Sequence, residues 1–526
     1  MANKNVLLIE PGYKNKYPPL GLMKIATYHG SHGRRDRVKF IKGECDRTVQ
    51  DVAWDRIYVT TLFSFEWKAI ERSIDFALDV AHKQANKVFV GGIAASLMHD
   101  SFLAVPRWHG VRFITGLLSE APATSLQLDE FSGELYADDL YSTPIEDLIP
   151  DYSILEQIRS QYVYPVHDAY FVYASRGCIR KCHFCGVPKL EGAQRDAQSI
   201  TSVVRGIEER YGAKKDLTLM DNNVVASSNY HNIIAEIRDL GFTPGAQLAR
   251  PGKVPVKRRV DFNQGVDARI LCKDKAYLRD LSTICIKPLR IAFDHLGLRK
   301  PYEAAIRYAH EFGLDDLSNY MLYNFKDTPE DLYERMRLNI DLNEQLGVRI
   351  YSFPMRYQPT DMKDRSHVGE RWNRYYLRSM QIILQATHGI VSGSPEFFKR
   401  AFGDSPQAYH DLLMRPERFL FNRVWYEELS GRAEFDEYVM QARILDAEDR
   451  NELLALLSGA VPSQFKKLVT MANRSRVRAI LPFYVPLSKY DEAKIWERTR
   501  EVRKETAEVP WVPEDERVED ANLEVV

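Results

Sequence analysis

Three of the chain's six cysteines fall within eight residues, at Cys178, Cys182 and Cys185, in the stretch SRGCIRKCHFCGVPKLEG. Their spacing is C-x3-C-x2-C. Thiolates this close together bind metal or carry electrons, and the number of ligands decides between site types. A structural zinc site takes four protein ligands and usually draws them from C-x2-C pairs. Only one such pair is present, Cys182 and Cys185, and no second pair follows at zinc-finger spacing. His183 lies between ligands and is poorly placed to act as one. Cys45, Cys272 and Cys285 are isolated. Six cysteines in 526 residues do not make a disulfide scaffold, and clustered thiols in a cytosolic chain point to metal or redox chemistry. Thiolates on a tight loop also hold iron–sulfur clusters, normally four of them for a 4Fe–4S cube. Three ligands leave one iron open, and an open iron can bind a substrate or cofactor, much as an open zinc position marks a catalytic site.

In its context the motif resembles that of the radical S-adenosylmethionine (SAM) superfamily. YFVYAS (170–175) reads as a strand, RGC opens the loop, and Phe184 matches the aromatic residue expected between the last two cysteines. The resemblance implies that Cys178, Cys182 and Cys185 ligate a 4Fe–4S cluster whose open iron chelates SAM through its amino and carboxylate groups. It implies reductive cleavage of the sulfonium, a 5′-deoxyadenosyl radical that abstracts hydrogen, and an electron donor such as a flavodoxin or ferredoxin. The protein's part in such chemistry is to hold the cofactor, aim it and exclude water.

The elements that must position this loop follow it. Strand-like segments at 170–175, 217–221, 260–265, 289–294, 317–324 and 348–353 alternate with helical ones. SITSVVRGIEERYG from Ser199 is one helix. TPEDLYERMRLNIDLNEQLG is another, with Thr328 as N-cap and Pro329 at the first helical position. Such alternation fits any parallel α/β sheet; six repeats behind this loop match the partial (β/α)6 barrel of the radical SAM fold. In barrels of this kind the chemistry sits at the C-terminal ends of the strands. The resemblance therefore makes SAM-binding candidates of Asp221 and Asn222 after strand two, where the usual Gly-Gly-Glu is absent. Gln264, Asp267 and Arg269 after strand three, Asp294 after strand four and Asn324 after strand five join them. Any of these could instead be a helix cap or a satisfied loop polar group. No catalytic residue is named beyond them. FTPGAQLARPGKVPVKRRV (242–260) is rich in Pro, Gly and basic residues. It precedes strand three, so it is expected near the opposite end of the barrel, as a solvated loop or a docking patch.

Residues 1–150 read as a Rossmann-like, doubly wound domain. Strands are expected at 5–11, 56–63, 87–93 and 111–116, separated in the later part by helices such as WKAIERSIDFALDVAHKQ. In such folds ligands sit at strand C-termini. PPLGL (18–22) resembles the opening of the cobalamin-binding domain that precedes many radical SAM barrels. Thr60-Thr61-Leu62 takes the place of that domain's Ser-x-Leu loop, and Gly91-Gly92 the place of its glycine pair. The resemblance implies a corrin held by Pro19, Gly21, Thr60, Leu62, Gly91 and Gly92. The Asp-x-His-x-x-Gly motif that supplies a cobalt-ligating histidine is missing; His29 and His32 do not match its spacing. A methylthiotransferase would need a second cysteine triplet upstream, where only Cys45 occurs.

Four regions are thus expected: the cobalamin-binding-like domain (1–150), the barrel (151–366), a helix-rich C-terminal domain (367–503) and an acidic, disordered tail (504–526). The basic run Arg474, Arg476, Arg478 reads as a solvated helix face or a phosphate contact. With 72 basic and 73 acidic residues, net charge gives no reason to expect nucleic acid or membrane. No stretch approaches a membrane span or a signal peptide, so a cytoplasmic chain is expected. The favoured function is cobalamin-dependent methyl transfer to an unactivated centre. The alternatives are a cobalamin-free radical SAM rearrangement, oxidation or nucleotide or RNA modification, and a non-catalytic iron–sulfur module. The substrate, whether small molecule, peptide or nucleotide, is not legible.

Overall fold

The computed structural model describes residues 4–44, 46–120 and 144–505. Cys45, and the expected tail from 506 onward, lie outside the described residues. The chain forms two compact units. The first takes Met1–Ala292, Lys300–Ser318 and Gln358–His367; the second takes Phe293–Arg299, Asn319–Tyr357 and Val368–Val526.

The first unit opens with a parallel sheet of β1 (Asn5–Glu10), β2 (Arg37–Lys42), β3 (Arg56–Thr61), β4 (Val88–Gly92) and β5 (Arg112–Phe113), in the order β2-β1-β3-β4-β5. This is the flavodoxin-like doubly wound order, with its switch point between β1 and β3. VLLIE in β1 is buried throughout, as a strand covered on both faces must be. The helix Trp67–Val80 buries Trp67, Ile70, Ile74 and Ala77, the helical repeat of one apolar face. Those side chains join Leu7, Ile9, Ile57, Val59, Val88, Val90, Phe102 and Trp108 in one core. β2 has no counterpart among the expected strands. It is an edge strand, and its charged Arg37, Lys39 and Lys42 hide the apolar positions between them.

All six expected barrel strands are present: β6 (Ala169–Val172), β9 (Asp216–Leu219), β12 (Val260–Phe262), β13 (Leu289–Arg290), β14 (Asp316–Tyr323) and β15 (Arg349–Arg356). Between them lie short strands β7 (Ser175–Arg176), β8 (Arg195–Asp196), β10 (Gln247–Leu248) and β11 (Val256–Lys257). In the first unit β6 pairs in parallel with β9, and β9 with β12. Parallel bridges Val260–Ile286 and Val266–Ile291 carry the arc from β12 to β13, and β13 pairs in parallel with the start of β14. Adjacent parallel strands in chain order require crossovers; the helices Ile200–Tyr211 and Tyr230–Asp239 supply two of them. Between β9 and β12, β10 and β11 form an antiparallel hairpin. Arg250 within it pairs with Asp168, immediately before β6, at 2.7 Å, which puts this basic insertion at the N-terminal end of the strands.

In the second unit β14 neighbours β15. The helix Pro329–Leu346 joins them, with Thr328 and Asp331 forming a capping box and Gly347 closing the C-terminus in the left-handed conformation. Beyond these strands its described residues form helices and the turns that join them. Its core gathers Tyr375, Phe419, Phe435, Leu453, Phe465, Val477 and Phe483. The last helix, Lys489–Glu505, takes in the first two residues of the expected tail. Arg474 and Arg476 pair with Asp446 and Asp449, and Arg478 donates to the Asn473 carbonyl at 3.2 Å. Among the described residues, no helix is long and apolar enough to cross a membrane.

Candidate functional site

The cysteine loop leaves the C-terminal end of β6. Two residues on, β7 and β8 pair antiparallel, Ser175 opposite Asp196 and Arg176 opposite Arg195, and clip the loop's two ends together. Gly177 begins the turn at φ +76°, where a Cβ would fall 2.2 Å from the Ala193 carbonyl oxygen; glycine alone passes there. The Gly177 N–H donates to Glu191 Oε2 at 2.8 Å, and the Cys178 N–H to the Gly192 carbonyl at 3.3 Å. None of the three thiols is in a disulfide, and all are half-buried. Cys178 Sγ accepts the Arg180 N–H at 3.4 Å and Cys185 Sγ accepts the Val187 N–H at 3.5 Å. Such bonds steady cluster thiolates and tune a bound cluster's potential, so the loop fits a cluster on its own chemistry. Among the described residues no three His, Cys, Asp or Glu side chains converge as ligands of a single ion; in a four-iron cube each thiolate takes a different iron.

Several of the sequence-predicted residues of the first unit meet this loop. Asp221 is buried, and its carboxylate accepts the Ala174 N–H at 2.9 Å and the Ser175 hydroxyl at 2.7 Å, as well as the Ser175 N–H. Burial pushes its pKa up to about 6, against these hydrogen bonds. Asn222 Nδ2 donates to Glu191 Oε2 at 2.9 Å. Asp267 caps the short helix Ala268–Leu271 by accepting the Arg269 N–H, and it pairs with Arg180 and Arg269, both at 2.7 Å. Burial raises its pKa, but the bonds from Arg269 and Arg180 prevail and hold it below the usual carboxylate value. Gln264 is exposed. Asp221, Asn222 and Asp267 are therefore brought to the loop, and Arg269 through Asp267.

Asp294 and Asn324 belong to the second unit. The Phe293 and Asp294 carbonyls accept from the buried Arg335 at 3.1 and 3.0 Å, and Arg335 also pairs with Asp327 at 3.0 Å. Asn324 is buried at φ +66°, donating to the Tyr357 carbonyl at 3.1 Å and accepting the Gly369 N–H at 2.7 Å.

The cobalamin candidates gather at the C-terminal edge of the first sheet. The β3–β4 register sets Thr60 opposite Gly91 and Thr61 opposite Gly92. Thr61 Oγ1 donates to the Gly91 carbonyl and accepts the Ala95 N–H, both at 2.9 Å. The Leu62 N–H donates to the Tyr13 hydroxyl at 3.1 Å. Pro19 and Gly21 lie at the start of the helix Leu20–His29 that follows β1. At Gly91 a Cβ would meet only Ile114, at 3.8 Å. Packing does not require that glycine, whereas a ligand lying against the backbone would. The edge and the cysteine loop adjoin, since a Cβ at Gly186 would touch Leu97 Cδ1 at 2.8 Å. Beneath the edge, Lys42 is buried against Glu10 at 2.8 Å and Asn15 at 2.7 Å, with Tyr162 beneath its ammonium; burial lowers its pKa, against Glu10.

Sequence reasoning missed Ser175, Arg176, Arg180 and Glu191. Arg176 is buried, stacks on Tyr173 at 3.8 Å and pairs with Glu191 at 3.4 Å and Glu146 at 3.5 Å. The charged residues inside the cysteine motif were the available signal, because charges in so tight a loop need partners.

No family model and no curated protein matches the chain. Among solved structures it is similar to the radical S-adenosylmethionine methyltransferase TsrM from Kitasatospora setae, with cobalamin and a [4Fe-4S] cluster bound. That match has 14% identity, covers 69% of this chain and 78% of that one, and has a TM-score of 0.46. It is also similar to OxsB, a cobalamin-dependent S-adenosylmethionine radical enzyme, at 12% identity over 98% of this chain and 82% of that one, TM-score 0.47. Streptococcus suis SuiB bound to its precursor peptide SuiA matches at 13% identity over 56% and 65%, TM-score 0.29. Likenesses of this size assign neither family nor activity to the chain.

Proposed function

We propose that this chain is a radical SAM enzyme with an N-terminal cobalamin-binding domain, and that it transfers a methyl group to an unactivated centre. The observation that carries the proposal is the three-cysteine loop at the C-terminal end of β6, closed by the β7–β8 clip and supplied with N–H donors to two of its sulfurs. Cys178, Cys182 and Cys185 would hold a 4Fe–4S cluster, and Thr60, Leu62, Gly91 and Gly92 would line the corrin's side of the first sheet. Bound there, these groups and SAM supply an electron for C–S cleavage, a 5′-deoxyadenosyl radical and a methyl carrier.

The chain's own residues bind and aim. Asp221 fixes the loop's first stem through Ala174 and Ser175. Glu191 ties Gly177 and Asn222 to the second. Asp267 ties Arg180 to the start of the helix Ala268–Leu271. A loop held at several corners is pre-organised, so a bound cofactor meets little reorganisation. Asn222, Gln264 and Arg269 are the polar groups of the first unit proposed to meet SAM. Substrate choice is proposed to lie with the helical region.

The test is product stoichiometry after anaerobic reconstitution with cluster, hydroxocobalamin and a reductant. Methyl transfer yields S-adenosylhomocysteine together with 5′-deoxyadenosine. Methionine and 5′-deoxyadenosine alone would support cobalamin-free radical chemistry, and intact SAM the non-catalytic module.

A further inference from the structure

We propose that Arg180 is a positioning residue of the cysteine loop, and that with Asp267 and Arg269 it forms a charged latch governing both the loop's order and the reduction potential of the cluster it holds. The inference rests on the reading that Cys178, Cys182 and Cys185 ligate a 4Fe–4S cluster.

Arg180 lies between the first two cysteines. Its backbone N–H donates to Cys178 Sγ at 3.4 Å, and its guanidinium Nε donates to Asp267 Oδ2 at 2.7 Å. One residue therefore touches a ligand sulfur through its main chain and an anchor through its side chain. The anchor is itself tied down. Asp267 is buried and caps the helix Ala268–Leu271 through the Arg269 N–H at 2.9 Å; it also receives Arg269 Nε at 2.7 Å and Nη2 at 3.1 Å. Charge-assisted bonds of this length are the strong ones. They tie the start of the helix Ala268–Leu271 to Cys178 through Arg180.

The latch also carries charge. Arg180 and Arg269 each place a guanidinium on the Asp267 carboxylate, so charge can be changed beside the loop one unit at a time. A cluster gains an electron on reduction, so a neighbouring cation stabilises its reduced form and raises the potential. Arg180→Gln removes one positive charge and breaks the anchor. Asp267→Asn also breaks the anchor but removes a negative charge. Arg269→Gln removes a charge and leaves the Arg180–Asp267 pair in place. Anchoring and charge thus separate.

The experiment uses the full chain, anaerobically reconstituted with iron and sulfide and kept free of SAM. Iron release to a chelator reports anchoring, and the midpoint potential from redox-poised electron paramagnetic resonance reports charge. We expect Arg180→Gln and Asp267→Asn both to release iron about tenfold faster than wild type, the scale of lost outer contacts to a metal site. Their potentials should move in opposite directions, Arg180→Gln more negative and Asp267→Asn more positive. Arg269→Gln should move negative with wild-type release. Arg180→Lys, which keeps the charge but not the planar fork, should hold the potential and release iron faster, and it serves if Arg180→Gln does not fold. Equal release from wild type and both anchor variants would overturn the positioning role; shifts of one sign in Arg180→Gln and Asp267→Asn would overturn the charge role. A wild-type chain that takes up no iron would instead refute the cluster reading on which the latch depends.

Discussion

Gly91 and Gly92 are neighbours in sequence, yet the structure assigns them different reasons for being glycine. Gly92 sits at φ +105°, and a Cβ there would lie 2.4 Å from the Thr61 carbonyl oxygen and 2.9 Å from its nitrogen. Holding alanine in that region costs about 1–3 kcal/mol, and the clash is with backbone of the paired strand, which cannot swing aside. Gly91 has no such constraint: a Cβ there meets Ile114 at an ordinary 3.8 Å. Gly91→Ala should be neutral or stabilising by up to about 1 kcal/mol, because alanine restricts the unfolded chain. If a corrin lies against this edge, the same methyl group intrudes on it. Overpacking costs about 1–3 kcal/mol, which is roughly 5- to 150-fold in affinity. The assay pairs urea unfolding, followed by tryptophan fluorescence, with hydroxocobalamin titration. Gly92→Ala should lose stability; Gly91→Ala should keep stability and lose the corrin. A Gly91→Ala chain that binds hydroxocobalamin like wild type would refute the reasoning for that edge.

Other consequences can be measured on the same preparations. Lys42 and Glu10 form a buried pair with side chains 5% and 2% exposed, and removing one partner from such a pair costs about 3–5 kcal/mol. Glu10 retains Asn15 and Tyr164 as donors, so Lys42→Met should fall near the lower limit in urea unfolding, with Lys42→Met/Glu10→Gln recovering most of the loss; a Lys42→Met chain as stable as wild type would contradict this. Burial depresses the His29 pKa to about 4, against its hydrogen bond to Asp36. The folded state therefore holds it neutral, and its contribution is complete above the unfolded value near 6.5 and lost as pH falls from there to about 4, a gap of order 3 kcal/mol. The urea midpoint should drop across that window and His29→Gln should flatten the drop; identical slopes would count against it.

Much of the architecture was legible because its signals are local. Continuous apolar runs such as VLLI mark strands buried on both faces, and the Thr328-Pro329 start with Gly347 at the end brackets a helix. Three clustered cysteines are visible in any sequence. What stayed hidden depends on partners far along the chain. β2 was masked by the charges an edge strand tolerates. Arg180 and Asp267 are 87 residues apart, and nothing in their spacing announces a latch. The run Arg474, Arg476, Arg478 read as a solvated helix face or a phosphate contact, and nothing local in it announces that Asp446 and Asp449 pair with Arg474 and Arg476. Asp221 could be read as a ligand group from its position after β9, but its carboxylate oxygens face Ala174 and Ser175.

The central claim is that Cys178, Cys182 and Cys185 hold a redox-active 4Fe–4S cluster that cleaves SAM. The most direct test is anaerobic reconstitution of wild type and of the Cys178→Ala/Cys182→Ala/Cys185→Ala chain, reading iron and sulfide content and, with dithionite and SAM, 5′-deoxyadenosine. Wild type should carry about four irons per chain and release 5′-deoxyadenosine, and the triple variant should do neither. A cluster that survives in the triple variant, or a loaded wild type that leaves SAM intact, would contradict the account.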